Sequence, residues 1–529
     1  MQLTTAKQMQ EIDRRTIQDV GIPGRVLMES AGRGCVSALY RLAAGKPLTQ
    51  VVVVAGRGNN GGDGFVVARY LAERGIEAPV FVVGGVGGIS GEALENLLLL
   101  EALGVAVAEL TEPCDLAALE SSLAQSGMVV DALFGTGLQR DVKGLYADVV
   151  KAINAFGKLV LAVDIPSGVC ADTGRVLGCA VGADATVTFC RPKPGHFLYP
   201  GRMHAGVLSI VDIGIPEREV DHAEPTTRLI SSRTIAQSVS RLRPDFHKGS
   251  RGHLALVAGS RGKSGAAILA SQAAVCGGAG LVTTAIPLCI NTPFESRCLE
   301  AMSVPLPHDT EGSFHVGCGE ALLELLQGKD AVAVGPGLTT SKGALAALTA
   351  IIDFSVVPMV LDADALNLLA EKPELIREIK GEAVITPHPK ELSRLTGLSV
   401  AEIQADRIQA ATSFATKSGL HVVLKGAGTV VAHPDGTSGI NPTGNALLAT
   451  GGTGDVLTGL IGAFLAQGYP CKEAAKIGVY LHGEAANRLM DEGLETGMAA
   501  SRLVDLLPEV LSDAARGTLA PRTAEGWVM

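Results

Sequence analysis

Glycines and polar side chains alternate in a short segment near the start of the chain. It reads Gly56-Arg-Gly-Asn-Asn-Gly-Gly-Asp-Gly64 and follows an apolar stretch at 50–55. We interpret the apolar stretch as a buried strand, the glycines as a loop and 65–74 as a helix. The first N–H groups of a helix bind phosphate, and the segment holds more glycine and asparagine than a tight turn needs. It therefore predicts a ligand-binding loop, with a merely tight turn as the alternative, and its spacing is not GxGxxG.

Two further predicted strands end in acidic loops. Asp131 lies in the first of these strands and is followed by the loop 135–141, and the second ends with Asp164 and Ser167. One such carboxylate alone would more often cap a loop. Three neighbouring strand ends together bring acidic and amide oxygens to one rim, and clustered oxygen donors suit a hard cation.

A glycine-rich helix start also marks the second half of the chain. Gly451, Gly452 and Gly454 precede Asp455 and the apolar helix predicted at 456–466. Exposed amides at a helix start form an anion hole for a transferring phosphate. Asp455 would lie in the first turn, where it can accept a proton from a hydroxyl group. Alternatively, Asp455 only stabilises the helix, because a negative charge in the first turn interacts favourably with the helix dipole.

Other loops of the second half carry weaker signals. Lys425-Gly-Ala-Gly-Thr429 predicts a hairpin turn whose amides and lysine meet a nucleotide, unless the lysine is simply solvated. His388 lies between two prolines, which favours a fixed position, and a lone histidine is as often structural as functional. Asp362 and Asp364 follow another predicted strand, and we expect one of them to cap the next helix.

The elements that position these residues alternate between short apolar runs and helical patterns, which is typical of parallel α/β folds. The predicted strands of the first half are 50–55, 78–83, 128–133, 159–163, 185–189 and 206–211, and those of the second half are 253–258, 280–285, 331–334, 359–361, 383–385 and a hairpin at 421–432. Periodicity is lost near 217–237, so we predict domains at 1–217 and 238–515, a linker at 218–237 and a tail at 516–529.

Composition excludes several classes of protein. Of 529 residues, 47% are hydrophobic, so each half can bury a core. The net charge of −10 and the 4% aromatic content disfavour nucleic-acid and anionic-membrane binding. The ten cysteines include no CxxC pair, no apolar run approaches the roughly 18 residues of a membrane span, and no leader sequence is visible. We therefore expect a cytoplasmic protein with reduced thiols.

The motifs together resemble two enzyme families. Gly-Arg-Gly-Asn-Asn-Gly-Gly-Asp-Gly, Asp131 with Gly-Thr-Gly-Leu, and Asp-Ile-Pro-Ser-Gly resemble NAD(P)H-hydrate epimerases. His247-Lys-Gly-Ser-Arg-Gly, Gly335-Pro-Gly, Leu-Asp-Ala-Asp-Ala-Leu, Thr-Pro-His-Pro, Lys-Gly-Ala-Gly-Thr and Thr-Gly-Gly-Thr-Gly-Asp resemble ribokinase-like NAD(P)H-hydrate dehydratases. In this order they resemble the bacterial bifunctional repair enzymes of hydrated nicotinamide cofactors. The resemblance implies two three-layer α/β/α domains, Rossmann-like and then ribokinase-like.

The resemblance also implies an activity and its site residues. The first domain would interconvert R and S hydrates with a bound potassium ion, and the second would dehydrate the S form with ADP and Mg²⁺, releasing AMP. The implied potassium ligands are Asn60, Asp131 and Ser167. The implied hydrate-binding residues are Asn59, Asn60, Gly61, Gly62, Asp63, Gly135, Thr136, Gly137, Leu138, Gln139, Arg140, Asp141 and Asp164 in the first domain, and Ala266, Gly337, His388 and Asp455 in the second. The implied nucleotide-binding residues are Lys425, Gly426, Ala427, Gly428, Thr429 and Gly454.

Asp455 is the predicted base of the dehydratase, and Asp164 the predicted acid or base of the epimerase. Family precedent also implies a homo-oligomer. A kinase for a small vitamin-precursor alcohol is the main alternative, because its superfamily shares the glycine–aspartate motif. The other alternative is that the first domain is a non-enzymatic ligand-binding or scaffolding module. A scaffold, however, would not require Asn60, Asp131, Asp164 and Ser167 together.

Overall fold

The chain folds into two compact units in the computed structural model, which describes residues 1–45, 48–522 and 527–528. The first unit comprises Met1–Arg228 with the described C-terminal residues Trp527 and Val528, and the second comprises Leu229–Arg522. The boundary falls inside the stretch predicted as a linker, which holds the helix Glu217–His222, the strand Thr227–Leu229 and the helix Ser232–Ser238.

The first unit is built on an eight-stranded sheet in which every neighbouring pair is parallel. In spatial order its strands are Trp527–Val528, Val207–Val211, Ala185–Phe189, Leu159–Val163, Met128–Ala132, Val51–Ala55, Val80–Val83 and Val107–Leu110. Outside this sheet, Gln2 and Leu3 pair antiparallel with Arg228 and Thr227.

Helices cover both faces of this sheet. They are Ala6–Arg15, extended by the π-helical turn Thr16–Val20, then Gly24–Leu42, Asn59–Ala72, Gly91–Ala102, Leu116–Gln125, Leu145–Ala155, Gly201–His204 and Glu217–His222. Val51 and Val53 pack into one apolar core and Val52 and Val54 into another, because successive side chains of a strand point to opposite faces. Two cores on one sheet give the predicted three-layer α/β/α architecture.

The sheet of the second unit is parallel over most of its width. Its strands in spatial order are Ser438–Ile440, Val430–Ala432, His421–Leu424, Ala383–Ile385, Met359–Leu361, Ala331–Val334, His253–Val257, Leu281–Pro287 and Met302–Leu306. The pairs formed by Val430–Ala432 with its two neighbours are antiparallel, and the others are parallel. The predicted hairpin at 421–432 is therefore present.

The helices of the second unit are more numerous. They are Ser232–Ser238, Ser264–Cys276, Asn291–Glu295, Gly319–Leu326, Lys342–Phe354, Asp364–Glu371, Leu375–Glu378, Pro389–Thr396, Val400–Ala405, Arg407–Ser418, Thr453–Ala466, Cys471–Asp491 and Ser501–Arg516. The helix Thr453–Ala466 is largely apolar, as expected for a helix that is buried on all sides. It packs between the sheet and the helices Ser264–Cys276 and Cys471–Asp491. Its start is thereby fixed at the edge of the sheet.

The predicted strands are all present, but several others were not predicted. Val107–Leu110 and Met302–Leu306 lie at sheet edges and are partly exposed, so they lack the apolar run of a central strand. In the tail predicted at 516–529, Trp527 and Val528 pair in parallel with Ile210 and Val211. Among the described residues, no helix combines the length and apolar character needed to cross a membrane.

Candidate active sites

A cavity of about 750 Å³ lies at the carboxyl ends of four neighbouring strands of the first unit. These strands are Val51–Ala55, Met128–Ala132, Leu159–Val163 and Ala185–Phe189. The strand order reverses between the first two, and open parallel sheets bind ligands at such a point. The predicted residues that line the cavity are Asn59, Asn60, Asp63, Gly135, Thr136, Gly137, Leu138, Gln139, Arg140 and Asp164, whereas Gly61, Gly62 and Asp141 do not line it.

Glycine allows the helix Asn59–Ala72 to begin directly at the end of the strand Val51–Ala55. A Cβ atom on Gly61 would lie 1.9 Å from the carbonyl oxygen of Gly56, and one on Gly56 would lie 2.0 Å from that of Leu133. Backbone atoms cannot give way at these distances. The two glycines thus hold the first turn of the helix, with its N–H groups, against the cavity.

Asp164 is the most constrained carboxylate of the cavity. Its backbone is left-handed, with φ +65°, which is strained for a residue other than glycine. Its Oδ1 accepts hydrogen bonds from the ammonium group of Lys193 and from Thr188 Oγ1, the latter at 2.9 Å. Burial opposes ionisation, but the charge and hydrogen bond of Lys193 outweigh it and hold the pKa of Asp164 below its usual value. Asp164 is therefore an ionised carboxylate with a fixed orientation.

Sequence reasoning missed Lys193 and the neighbouring His196. Lys193 is 1% exposed and also donates to Thr188 Oγ1 at 2.9 Å. His196 Nδ1 accepts from the backbone N–H of Lys193 at 3.0 Å, which leaves Nε2–H to donate to the carbonyl of Asp164 at 2.9 Å. Burial lowers the pKa of His196 to about 4, so the ring is neutral. Both residues follow the strand Ala185–Phe189, and the strand-end rule applied to the other loops would have found them.

Two more carboxyl groups line the cavity without a hydrogen-bond or ion-pair partner in the described structure. Asp63 lies near the start of the helix Asn59–Ala72, and Asp13, which was not predicted, lies on the helix Ala6–Arg15. Burial, then the negative charges of Asp164 and Asp13, raise the pKa of Asp63 well above its usual value. Burial and the charge of Asp164 raise the pKa of Asp13 to about 6. The cavity thus holds carboxyl groups of unlike proton affinity.

The predicted cation ligands Asp131 and Ser167 are in contact beside the cavity. Ser167 donates to Asp131 through Oγ at 2.6 Å and through its backbone N–H at 2.8 Å. Both side chains are fully buried, and Asp131 has no basic partner among the described residues. Burial raises the pKa of Asp131 to about 6. A buried carboxylate with hydroxyl and carbonyl oxygens around it fits a bound monovalent cation.

Asn60 is the third predicted cation ligand. It lines the cavity next to Gly135, where a Cβ atom would lie 3.1 Å from Asn60 Oδ1. Its Nδ2 is buried and has no hydrogen-bond partner. An orphaned buried amide indicates that a ligand completes this part of the rim.

In the second unit, a buried ion pair joins two of the strand-end segments, and the helix Thr453–Ala466 adds a hydrogen bond to it. Lys425 Nζ lies 2.7 Å from Asp362 Oδ1, and Thr458 Oγ1 donates to Asp362 Oδ2 at 2.7 Å. Although burial opposes it, Lys425 lowers the pKa of Asp362, and Asp362 in turn raises the pKa of Lys425. Lys425 is therefore charged and held in place, which excludes the solvated lysine considered above.

Asp455 and Gly454 begin the helix Thr453–Ala466 beside this ion pair. A Cβ atom on Gly454 would lie 3.6 Å from Lys425 Nζ and 3.7 Å from Asp362 Oδ2, so the ammonium group faces the amides of the helix start. Burial and the charge of Asp362 raise the pKa of Asp455 to about 6. A carboxylate that titrates near neutrality, next to amides and a cation, can take a proton from a hydroxyl group that attacks a phosphate.

The remaining predicted residues of the second unit lie on adjoining loops. Gly337 and Ala266 are neighbours, because a Cβ atom on Gly337 would lie 3.1 Å from that of Ala266. His388 caps the helix Pro389–Thr396, where its Nδ1 accepts from the backbone N–H groups of Lys390 and Glu391. The fixed histidine thus leaves only Nε2 available for contact, 3.3 Å from Glu391 Oε1.

The expectation that Asp362 or Asp364 caps a helix is wrong. Asp364 is the first residue of the helix Asp364–Glu371, but its carboxylate accepts from the backbone N–H of Thr339 at 2.8 Å and from Lys263 at 3.1 Å. The carboxylate of Asp364 thus binds groups of neighbouring loops instead of the N–H groups of its own helix. Its role is to tie neighbouring loops together.

Arg407, which sequence reasoning also missed, lies below the loop 425–429. It is 5% exposed, and its Nη2 donates to the carbonyls of Leu424 and Lys425 at 3.0 and 3.2 Å. No carboxylate pairs with it among the described residues, and burial lowers its pKa to about 10. Arg407 fixes the loop and adds positive charge beneath it.

The two units define a class of protein, a two-site α/β enzyme with a glycine-lined, phosphate-compatible rim on each sheet. Comparison with known proteins narrows the class. Residues 254–509 match the family model described as NAD(P)H-hydrate dehydratase, and residues 24–195 match that of the YjeF-related protein N-terminus.

Curated relatives match along nearly the whole chain. The bifunctional NAD(P)H-hydrate repair enzyme Nnr of Moorella thermoacetica is 39% identical over 97% of this chain and 97% of its own length. The Nnr of Thermofilum pendens is 39% identical over 97% of this chain and 96% of its own. The solved structure of an ADP/ATP-dependent NAD(P)H-hydrate dehydratase from Bacillus subtilis is 31% identical in sequence, with a TM-score of 0.48. The match covers 54% of this chain and 98% of the dehydratase chain. The chain belongs to the family of bifunctional NAD(P)H-hydrate repair enzymes.

Proposed function

We propose that this chain restores hydrated NADH and NADPH in two steps. The first unit interconverts the R and S hydrates, and the second dehydrates the S form with ADP as phosphoryl donor. The observation that carries the proposal is the pairing, in one chain of this family, of a carboxylate-lined cavity with a separate Lys425–Gly454–Asp455 site.

Dehydration needs a better leaving group than hydroxide. Asp455 takes the proton of the ring hydroxyl as the hydroxyl oxygen attacks the β-phosphorus of ADP and AMP leaves. Lys425 and the amides of Gly452 and Gly454 stabilise the charge that develops on the phosphoryl oxygens. The C–O bond to phosphate then breaks as the neighbouring ring carbon loses its proton. The products are the reduced cofactor, phosphate and AMP.

The residues around Lys425 also suit a divalent cation. Asp362, Glu391 and Asp455 place carboxylate oxygens, the donors that Mg²⁺ prefers, around the ammonium group. Burial raises the pKa of Glu391 to about 7, so a bound cation would also fix its charge. Mg²⁺ bound there would neutralise the charge of the nucleotide phosphates. We propose that these residues contact the ion through bound water, since no group of three acidic side chains among the described residues is placed to hold it directly.

In the first unit, we propose that Asn60, Asp131 and Ser167 hold potassium, supported by the buried, cation-free carboxylate described above. The bound ion would neutralise Asp131 and fix the loop that begins at Leu133. The hydrate would then occupy the cavity with its reacting carbon near Asp164.

The proposal also extends to location and assembly. All ten cysteines are free thiols, which supports a cytoplasmic protein. We propose the domain limits 1–217 and 238–515 for the two activities. We also propose a homo-oligomer, on the family resemblance alone.

The decisive experiment supplies the purified chain with a mixture of R and S hydrates and either ADP or ATP. Complete recovery of reduced-nicotinamide absorbance supports both activities, and recovery that stops at the S fraction supports only the dehydratase. A stable phosphorylated product without recovered absorbance would instead indicate a kinase. Asp455→Asn should lose dehydration while R-to-S conversion persists.

A further inference from the structure

Three aspartates and one buried ammonium group line the cavity of the first unit. Asp13, Asp63 and Asp164 all line it, and so does Lys193. The other ionisable groups along the cavity are Arg57, Glu92, Arg140 and Tyr146, and both arginines are exposed. The buried positive charge is therefore outnumbered three to one.

Lys193 is committed to one of the three carboxylates. It donates to Asp164 and to Thr188, and Thr188 donates to the same oxygen of Asp164. The neighbouring His196 is neutral and donates to the backbone carbonyl of Asp164, so it brings no further charge. Asp13 and Asp63 consequently face Asp164 without a cation of their own.

Carboxylates that share a poorly hydrated space cannot all ionise, because each negative charge raises the proton affinity of the next. The group that holds the cation stays ionised, and of the groups without one, the group with the highest proton affinity keeps its proton. Two carboxyl groups in opposite protonation states are what acid–base catalysis requires.

We propose that Asp63 is the proton donor and the Lys193-bound Asp164 the proton acceptor of the epimerisation, and that Asp13 is a positioning residue whose charge keeps Asp63 protonated. This assignment rests on the proposed function of the first unit. The burial of Asp63 and the charges of Asp164 and Asp13 all raise its pKa, which agrees with the donor role.

The step balances without a further reagent. The proton of Asp63 passes to the hydroxyl oxygen of the hydrated ring, the C–O bond breaks and water leaves, while the lone pair of the ring nitrogen forms a C=N bond to the same carbon. Water then adds to the opposite face of that carbon and gives a proton to Asp164. The configuration at the hydroxyl-bearing carbon is now inverted, and one proton has moved from Asp63 to Asp164. The site is reset when this proton returns from Asp164 to Asp63 through water. Alternatively, the proton on Asp164 is used in the reverse reaction.

The test uses the full chain and the purified S hydrate without ADP, so that dehydration is silent. The formation of the R hydrate is followed by chromatography from acid to alkaline pH. We expect Asp63→Asn to slow epimerisation by about 10²–10⁴-fold, the usual contribution of general acid–base catalysis. Asp63→Glu should restore part of the rate, because it restores the carboxyl proton.

The positioning roles predict shifts of the pH profile rather than a loss of rate. Asp13→Asn removes a negative charge near Asp63, so the alkaline limb should move to lower pH. Lys193→Met removes the cation of Asp164, so the acid limb should move to higher pH. Asp221→Asn, at an exposed carboxylate outside the cavity, is the matched control and should change neither limb.

Infrared spectroscopy supplies a readout that does not depend on turnover. At neutral pH the C=O absorption of protonated carboxyl groups should be weaker in Asp63→Asn than in the wild-type chain, whereas Asp221→Asn should match the wild type. An unchanged stretch and an unchanged rate in Asp63→Asn would overturn the assignment. A wild-type chain that forms no R hydrate would instead refute the proposed function, and the infrared result would still decide the state of Asp63.

Discussion

Lys425 Nζ lies 2.7 Å from Asp362 Oδ1, and this buried ion pair connects the ends of two strands of the second unit. Removing one partner leaves an uncompensated charge in a site from which water is largely excluded. Such losses cost about 3–5 kcal/mol of the free energy of unfolding. The pair should therefore contribute to the stability of the unit and to the positive charge of the proposed nucleotide site.

We therefore expect Lys425→Met to destabilise the second unit by about 3–5 kcal/mol and to abolish ADP binding. Hydrogen exchange of the strand His421–Leu424 measures the first effect and titration calorimetry the second. Lys417→Met, at an exposed lysine of the helix Arg407–Ser418, is the control and should leave both unchanged. Equal exchange rates in the two variants would contradict the stabilising role of the pair.

The second prediction concerns the pH dependence of dehydration. As the proposed base, Asp455 would be active only in its ionised form, and burial together with Asp362 raises its pKa to about 6. The rate of dehydration should therefore rise from pH 5 to pH 7. Its midpoint should lie near the raised pKa of about 6 and not near 3.8, the ordinary value for an aspartate. Initial rates with saturating ADP and S hydrate measure it.

Asp362→Asn provides the internal check on this pH dependence. It removes a negative charge next to Asp455, so the midpoint of whatever rate remains should move to lower pH. A midpoint that stays in place would show that Asp362 does not act on the titrating group. A midpoint that also persists in Asp455→Asn would assign the titration to another residue.

The glycine loop of the first unit yields a third prediction. A Cβ atom on Gly61 would meet the carbonyl oxygen of Gly56 at 1.9 Å, whereas one on Gly58 would meet nothing within 4 Å. Gly61→Ala should thus lower the free energy of unfolding of the first unit by about 1–3 kcal/mol, the usual cost of overpacking. Gly58→Ala is the matched control and should change it little. Hydrogen exchange of the strand Val51–Ala55 gives both values, and equal destabilisation would refute the steric argument.

Central elements were predictable because burial on both faces leaves a continuous apolar run. Val51–Ala55 and Met128–Ala132 are buried throughout, and their sequence alone identifies them as strands. Edge strands such as Met302–Leu306 were missed because partial exposure breaks that pattern. The two-residue pairing of Trp527 and Val528 was missed because so short a strand has no periodicity.

The candidate sites show a similar division. Motifs predicted the strand-end segments that carry Asp164 and Asp455, because glycines and acids there follow buried strands. The ion pairs could not be predicted, since Lys193 lies 29 residues from its partner Asp164 and Lys425 lies 63 residues from its partner Asp362. Only the order of strands in the sheet brings such residues together. Asp13 was missed because it lies on a helix and belongs to no loop motif.

The last prediction concerns potassium in the first unit. Asp131 is fully buried without a basic partner, so a cation bound to its carboxylate should stabilise the folded unit. A ligand at about 100 times its Kd adds about 2.7 kcal/mol. We expect KCl to raise the Tm of the first unit above that in tetramethylammonium chloride of equal ionic strength, as followed by the exchange of the strand Met128–Ala132.

The effect of potassium should depend on Asp131 and on its protonation. Burial raises the pKa of Asp131 to about 6, and a proton competes with the cation for the carboxylate. The stabilisation should therefore be present at pH 8 and shrink as the pH falls below 6. Asp131→Asn should abolish it, whereas Asp221→Asn, at an exposed carboxylate of the same unit, should retain it. Equal stabilisation of both variants by KCl would place the ion elsewhere.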